Sequence, residues 1–305
     1  MAETVGQRGK GFANVIIGTM FWGFSGAVAQ YLFTALHVQP LWLVAVRLLG
    51  AGVLLLLFAG LRGGRDVFRI WHNRRDAVLL IIFAIMGMMP SQLTYFLAVS
   101  YGNAATATVL QFLGPLFIII YLALASRQWP RRIDVVSIVV ALVGTYLLVT
   151  QGRLTSLALA PAAVVWGVLA GVSQASYTLL PRPLLRKYDE TQVVGWAMLL
   201  GGVPLWPVLG TTAAPHLGMA GLAAIAFIIL FGTLFAYLLY LNSLAYIPAS
   251  TTGMLSAFEP LTATVTTVLL LGTRLAGAEI IGGLLILLTT VLQALPARRA
   301  TRVER

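Results

Sequence analysis

The chain contains no cysteine. That excludes a disulfide framework and any metal centre held by thiolates. Acidic residues are scarce too, nine against twenty lysines and arginines, and charged residues make up only 10% of the 305 positions. A soluble domain carries about a quarter. The three histidines, His37, His72 and His216, fall at expected helix ends or loops with no metal-ligand spacing among them. No nucleophile elbow, no HExxH and no phosphate-binding lysine loop occurs. No catalytic residue, metal or cofactor is therefore expected, and ATP hydrolysis within this chain is excluded. The net charge of +11 invites a nucleic-acid reading, but the basic residues are scattered through short loops and form no stripe.

What the chain has instead is apolar length. It is 59% hydrophobic with a mean hydropathy of +0.92. Ten stretches are each long enough to cross a bilayer, which takes about 20 residues. They run approximately over 12–33, 39–60, 77–98, 103–125, 133–150, 157–180, 191–211, 219–242, 249–271 and 276–295. The first is too long for a signal-peptide core and reads as a retained helix. Gln39-Pro40 opens the second stretch, Pro181 and Pro183 close the sixth, and Pro296 closes the last. The expected fold class is an all-α integral membrane protein with lipid as its solvent and no room for a soluble domain.

With the N-terminus placed in the cytoplasm, seventeen of the twenty basic residues fall on cytoplasmic segments. Arg153 and Arg274 alone remain outside, and Arg47 lies within the second stretch. So strong an asymmetry sets orientation, with both termini cytoplasmic.

The chain also repeats itself. Tyr101 to Pro115 reads YGNAATATVLQFLGP, and Tyr246 to Pro260 reads YIPASTTGMLSAFEP. The same offset of 145 pairs Gly87 with Gly232, Tyr95 with Tyr240 and Asp134 with Glu279, while Trp22-Gly23 matches Trp166-Gly167 at 144. A shared spacing over several helices is an internal duplication. Each half, 12–150 and 157–296, holds five stretches. Five is odd, so the second half enters the membrane from the opposite side, giving inverted repeats of the kind secondary transporters use.

These features resemble the EamA-type transporters of the drug/metabolite transporter superfamily. The resemblance rests on Trp-Gly early in each half, a proline deep in the fourth helix of each half, Arg47, Glu259-Pro260 and Leu271-Gly272. It departs from the family at Thr273, where Leu-Gly-Glu is common. Within the superfamily the chain is most similar to bacterial aromatic amino acid exporters. The resemblance implies a ten-helix basket around a central cavity in the inner membrane. It also implies export of amino acids or related small metabolites by alternating access. Substrate and lipid are then the expected partners, and oligomeric state is not indicated.

Several residues stand out as candidate cavity groups. Arg47 and Glu259 are ionisable residues inside apolar stretches, where a charge costs at least about 2.5–3.5 kcal/mol without a partner or wet surroundings. Two readings stay open: Arg47 meets a substrate carboxylate and Glu259 an ammonium or proton, or the two form an ion pair that locks the halves. Gly114-Pro115 and Glu259-Pro260 mark matched helix breaks. Trp22 and Trp166 offer faces for a ring or a cation. Tyr95, Gln111, Gln174, Tyr177, Tyr237 and Tyr240 offer polar edges, whereas Tyr101 and Tyr246 sit where aromatic belts are expected. The competing readings are a cationic drug exporter, a sugar-phosphate importer, a lipid-modifying membrane enzyme and a channel. A phosphate substrate would need more intramembrane basic groups than Arg47, and the enzyme would need an acidic or histidine cluster at one membrane face.

Overall fold

A computed structural model describes the backbone of residues 2–127, 129, 132–151, 153, 158–212, 217–247 and 249–294. His216, Pro296 and the basic tail from Arg298 onward lie outside these residues. So does position 157, where the sixth stretch was expected to begin. Among the described residues the chain is helical and no strand forms. In lipid a backbone amide finds no water, so it must pair within its own helix.

Among the described residues nine helices are long and apolar enough to cross a membrane: α1 (Gln7–Thr34), α2 (Pro40–Gly63), α3 (Arg74–Tyr101), α4 (Ala104–Ser126), α5 (Arg132–Thr150), α6 (Pro161–Leu185), α7 (Glu190–Thr211), α8 (Met219–Ser243) and α9 (Thr251–Leu271). The tenth apolar stretch folds as the 18-residue helix α10 (Gly277–Ala294). Pro40 and Pro161 occupy the first turns of α2 and α6, where the missing N–H costs nothing. Pro181 ends the regular part of α6 at Leu179, after which one further turn spans Arg182–Leu185.

Besides the break in α6 and a 3-10 turn in α7 at Val203–Leu205, four helices are interrupted in two matching ways. α3 and α8 each contain a π-helical turn, at Ala84–Met88 and Leu230–Phe235. α4 breaks between Gln111 and Gly114, and α9 breaks between Leu255 and Phe258. Pro115 and Pro260 follow those breaks, and neither can donate to the carbonyl one turn back. The carbonyl of Ser256 instead accepts from the Glu259 N–H at 2.9 Å.

Helices pack mostly across the two sequence halves: α5 on α10, α2 on α7, α3 on α6, and α1 on α8 and α9. Small residues set the tightest crossings. A Cβ on Gly144 would meet the carbonyl of Gly282, and one on Gly282 would meet the carbonyl of Gly144. One core gathers Leu43, Leu48, Phe83, Phe96, Val193 and Met198, and a second gathers Leu110, Leu113, Ala141 and Ile286 around α4, α5 and α10. Leu57, Val139, Leu269 and Leu270 point outward instead, as a lipid-facing surface requires.

Candidate functional site

A cavity of about 580 Å3 opens between the helices of the two halves. Its wall takes Trp22 and Ser25 from α1, Arg47 from α2, and Phe83, Gln92 and Tyr95 from α3. α4 gives Gln111, Phe112, Gly114 and Pro115; α6 gives Gln174, Tyr177, Thr178, Pro181 and Leu185. Glu190, Val193 and Val194 come from α7, Tyr237 and Tyr240 from α8, and Gly253, Ser256 and Glu259 from α9.

The aromatic side is continuous. Trp22 meets Tyr237 edge-on at 5.1 Å and Tyr240 at 5.2 Å between ring centres. The Tyr177 hydroxyl donates to the Tyr237 hydroxyl at 3.2 Å, and Tyr177 leans on Phe83 at 5.6 Å. Tyr95 shares a 3.0 Å hydrogen bond with the hydroxyl of Thr108. The amide of Gln111 donates to Gln174 at 3.4 Å.

Arg47 is buried, and two of its three nitrogens are engaged. Its Nε donates to the Thr233 hydroxyl at 2.9 Å and one Nη to the carbonyl of Gly232 at 3.1 Å. The guanidinium stacks over Phe96 at 5.0 Å. Both acceptors belong to the π turn of α8, which frees a carbonyl by widening the helix. Among the described residues no ion pair of 4 Å or less joins Arg47 to Glu259. The expected alternative of a locking ion pair is therefore corrected. Arg47 does lock helices together, but through a backbone carbonyl and a threonine, because the π turn presents an acceptor within reach. Glu259 stays half-buried on the cavity wall.

Two expected residues fall elsewhere. Trp166 is absent from the wall and packs against the larger core. It precedes Gln174 by eight residues, so it lies about 80° around the helix and about 12 Å further along α6. The cavity reaches the Gln174–Leu185 end of that helix and not the Trp166 end. Pro260 is buried and off the wall, turned about 100° from Glu259.

Other wall residues were not singled out in the sequence. Glu190 fell one residue outside the expected seventh stretch and so carried no signal as an intramembrane charge. Ser25 was read only as part of the glycine-rich run after Trp22. It is 2% exposed, and its hydroxyl has no partner among the described residues. Gln30 repeats the spacing of Gln174 from Trp-Gly, yet it sits off the cavity. Its carbonyl oxygen accepts from the N–H of Ala104 at 2.8 Å, and its amide donates to the Thr273 hydroxyl at 3.3 Å. It thus ties α1 to the start of α4 and the end of α9. Tyr101 and Tyr246 are exposed at helix ends. Asn242 pairs with Asn14 at 3.2 Å.

The loop before α7 is anchored. Lys187 Nζ lies 2.9 Å from Asp76 Oδ1, and the Tyr188 hydroxyl donates to Asp76 Oδ2 at 2.8 Å. Asp189 accepts from the N–H groups of Thr191 and Gln192 and so caps α7. Gln192 and Trp196 both donate to the carbonyl of Val67, at 2.9 and 2.8 Å. No cluster of three metal-binding side chains occurs among the described residues.

The comparisons with known proteins agree with this architecture. A model of the EamA-like transporter family matches residues 9–150 and again 161–295. The inner membrane transporter YicL of Salmonella typhimurium, itself uncharacterized, is 38% identical over 300 residues, covering 98% of this chain and 99% of that one. The threonine/homoserine exporter RhtA of Salmonella typhimurium is 24% identical over 242 residues, covering 78% of this chain and 79% of its own. Protein PecM of Dickeya dadantii is 27% identical over 248 residues, covering 80% and 79%. A solved crystal structure covering 98% of this chain and 99% of its own superposes with a TM-score of 0.62 at 21% identity, a likeness of fold. The chain belongs to the EamA-like transporter family and is a multi-pass membrane protein.

Proposed function

We propose that this protein exports amino acids, aromatic ones included, and related small metabolites across the bacterial inner membrane by alternating access. The observation that carries the reading is a cavity walled by both halves, with a cation that keeps one nitrogen unengaged, two acidic residues and a continuous aromatic face on one wall. Sites of this kind bury most of a small ligand and fix it with a few polar groups. One nitrogen of Arg47 has no hydrogen bond among the described residues and can take a substrate carboxylate. Ser25, close to Gly232, offers a buried hydroxyl on the same wall, and the tyrosine and tryptophan rings suit an aromatic side chain. The relation to a threonine/homoserine exporter supports amino acids as the class.

On this reading the halves 12–150 and 157–296 are inverted repeats of five spans, with α10 as the tenth span and both termini in the cytoplasm. The twofold match to the family model and the breaks that recur about 145 residues apart support it. Basic residues cluster at the end of α6 and the start of α3, and Pro181, Leu185 and Glu190 at that end line the cavity, which supports an inward-open reading. Gln30 then closes the far side. The test is counterflow in proteoliposomes, scanning amino acids against other metabolites with and without a pH gradient. Saturable flux of phenylalanine, tyrosine, tryptophan or threonine is expected. No flux of any amino acid would overturn the substrate class.

A further inference from the structure

The cavity holds more acid than base, and its acids are idle. Glu190 lines it at the start of α7, as Pro181 and Leu185 do at the end of α6, and Glu259 lines it on α9 next to a helix break. Neither carboxylate makes a hydrogen bond or ion pair among the described residues. A glutamate at a helix N-terminus usually serves the backbone there. Here Asp189 already caps α7, so the Glu190 side chain has no such task. Its place is fixed all the same, because Lys187 and Tyr188 clamp the preceding loop to Asp76. Arg47 is the one basic residue on the wall against these two acids, and the Gly232 carbonyl and Thr233 hydroxyl hold two of its nitrogens in place.

Resting on the transporter reading above, we infer that Glu190 and Glu259 are a pair of amine-selecting groups. Glu190 admits the ammonium group of the substrate at the mouth, and Glu259 seats it deeper against the aromatic wall. A negatively lined cleft with apolar walls concentrates cations and repels anions. A free ammonium is therefore the required feature of any substrate, and a carboxylate is optional. Trp22, Tyr237 and Tyr240 favour an ammonium joined to a ring or other flat apolar group.

The test is equilibrium binding to the purified full-length protein by isothermal titration calorimetry, with three probes of one size. Phenylalanine carries both charges, phenethylamine only the ammonium, and 3-phenylpropionate only the carboxylate. Phenylalanine and phenethylamine are expected to bind at least about tenfold more tightly than 3-phenylpropionate. Glu190→Gln should weaken both amines about tenfold and leave 3-phenylpropionate unchanged or tighter, with Glu190→Asp restoring most of the loss. Equal binding of 3-phenylpropionate and phenethylamine, unchanged amine binding by the Gln variant, or no binding of any probe would each overturn the inference. If the Gln variant fails to elute as a single species, the ranking by the unaltered protein decides. A protein that binds the amines in this order but moves no amino acid would refute the export reading and leave the amine selection standing.

Discussion

The π turns of α3 and α8 share one backbone plan and differ in what secures it. In α3 the freed carbonyl of Met86 accepts from the hydroxyl of Ser176 at 2.7 Å. In α8 the carbonyl of Gly232 and the hydroxyl of Thr233 take two donors of Arg47. The first latch is neutral and lies at a half-exposed edge of α6; the second is charged and buried. A duplicated backbone can thus be kept while the side chains that stabilise it diverge, and the divergence places charge beside only one of the two turns. Gln30 and Gln174 tell the same story. They hold the same spacing from Trp-Gly, but Gln30 ties helix ends together and Gln174 faces open cavity.

The largest effect expected from breaking this comparison is on flux. Glu259→Gln should abolish or sharply reduce transport while leaving folded yield normal, measured as initial rates in proteoliposomes at matched protein. Full transport by that variant would remove Glu259 from the mechanism. Next comes stability. Arg47→Ala strips two hydrogen bonds and leaves the Gly232 carbonyl unpaired, a loss of about 3 kcal/mol. Ser176→Ala should cost only about 0.6–1 kcal/mol. Thermal unfolding in detergent would rank them, and equal losses would show that the two latches are equivalent after all.

Gln30→Ala sharpens the second contrast. It should raise labelling of a cysteine placed near Ala104 severalfold, by freeing the ends that Gln30 joins, and Gln174→Ala should not. Labelling that rises for Gln174→Ala alone would mean the closed end has been misplaced. The smallest effect is expected at the paired indoles. Trp22→Phe should raise the half-saturation constant several-fold, since Trp22 lines the cavity, and Trp166→Phe should change it less than about twofold. Similar shifts at both positions would erase the asymmetry.

How much of this was legible beforehand depends on whether a residue type advertises its role. Prolines do, so the breaks before Pro115 and Pro260 were visible in the sequence. The π turns were not, because Ala84–Met88 and Leu230–Phe235 contain nothing that forbids a regular helix. Charge inside an apolar run drew notice to Arg47 and Glu259, but the partner of Arg47 is a backbone carbonyl, which has no sequence signature. Glu190 was hidden by its position at a span boundary. Trp22 and Trp166 hold matching places in the sequence pattern and unequal ones in space, because the cavity reaches Trp22 and not Trp166.

One backbone contact joins the first helix to the residue that carries the cavity's inner acid. Gly23 sits where α1 crosses α9, and a Cβ there would overlap the carbonyl oxygen of Glu259 and crowd the N–H of Ala263. With hydrogen in place of a side chain, the two backbones rest on each other at the very residue that carries the acid. On the alternating-access reading proposed above, a tilt of the first helix would lever that acid, with the bare patch as its fulcrum.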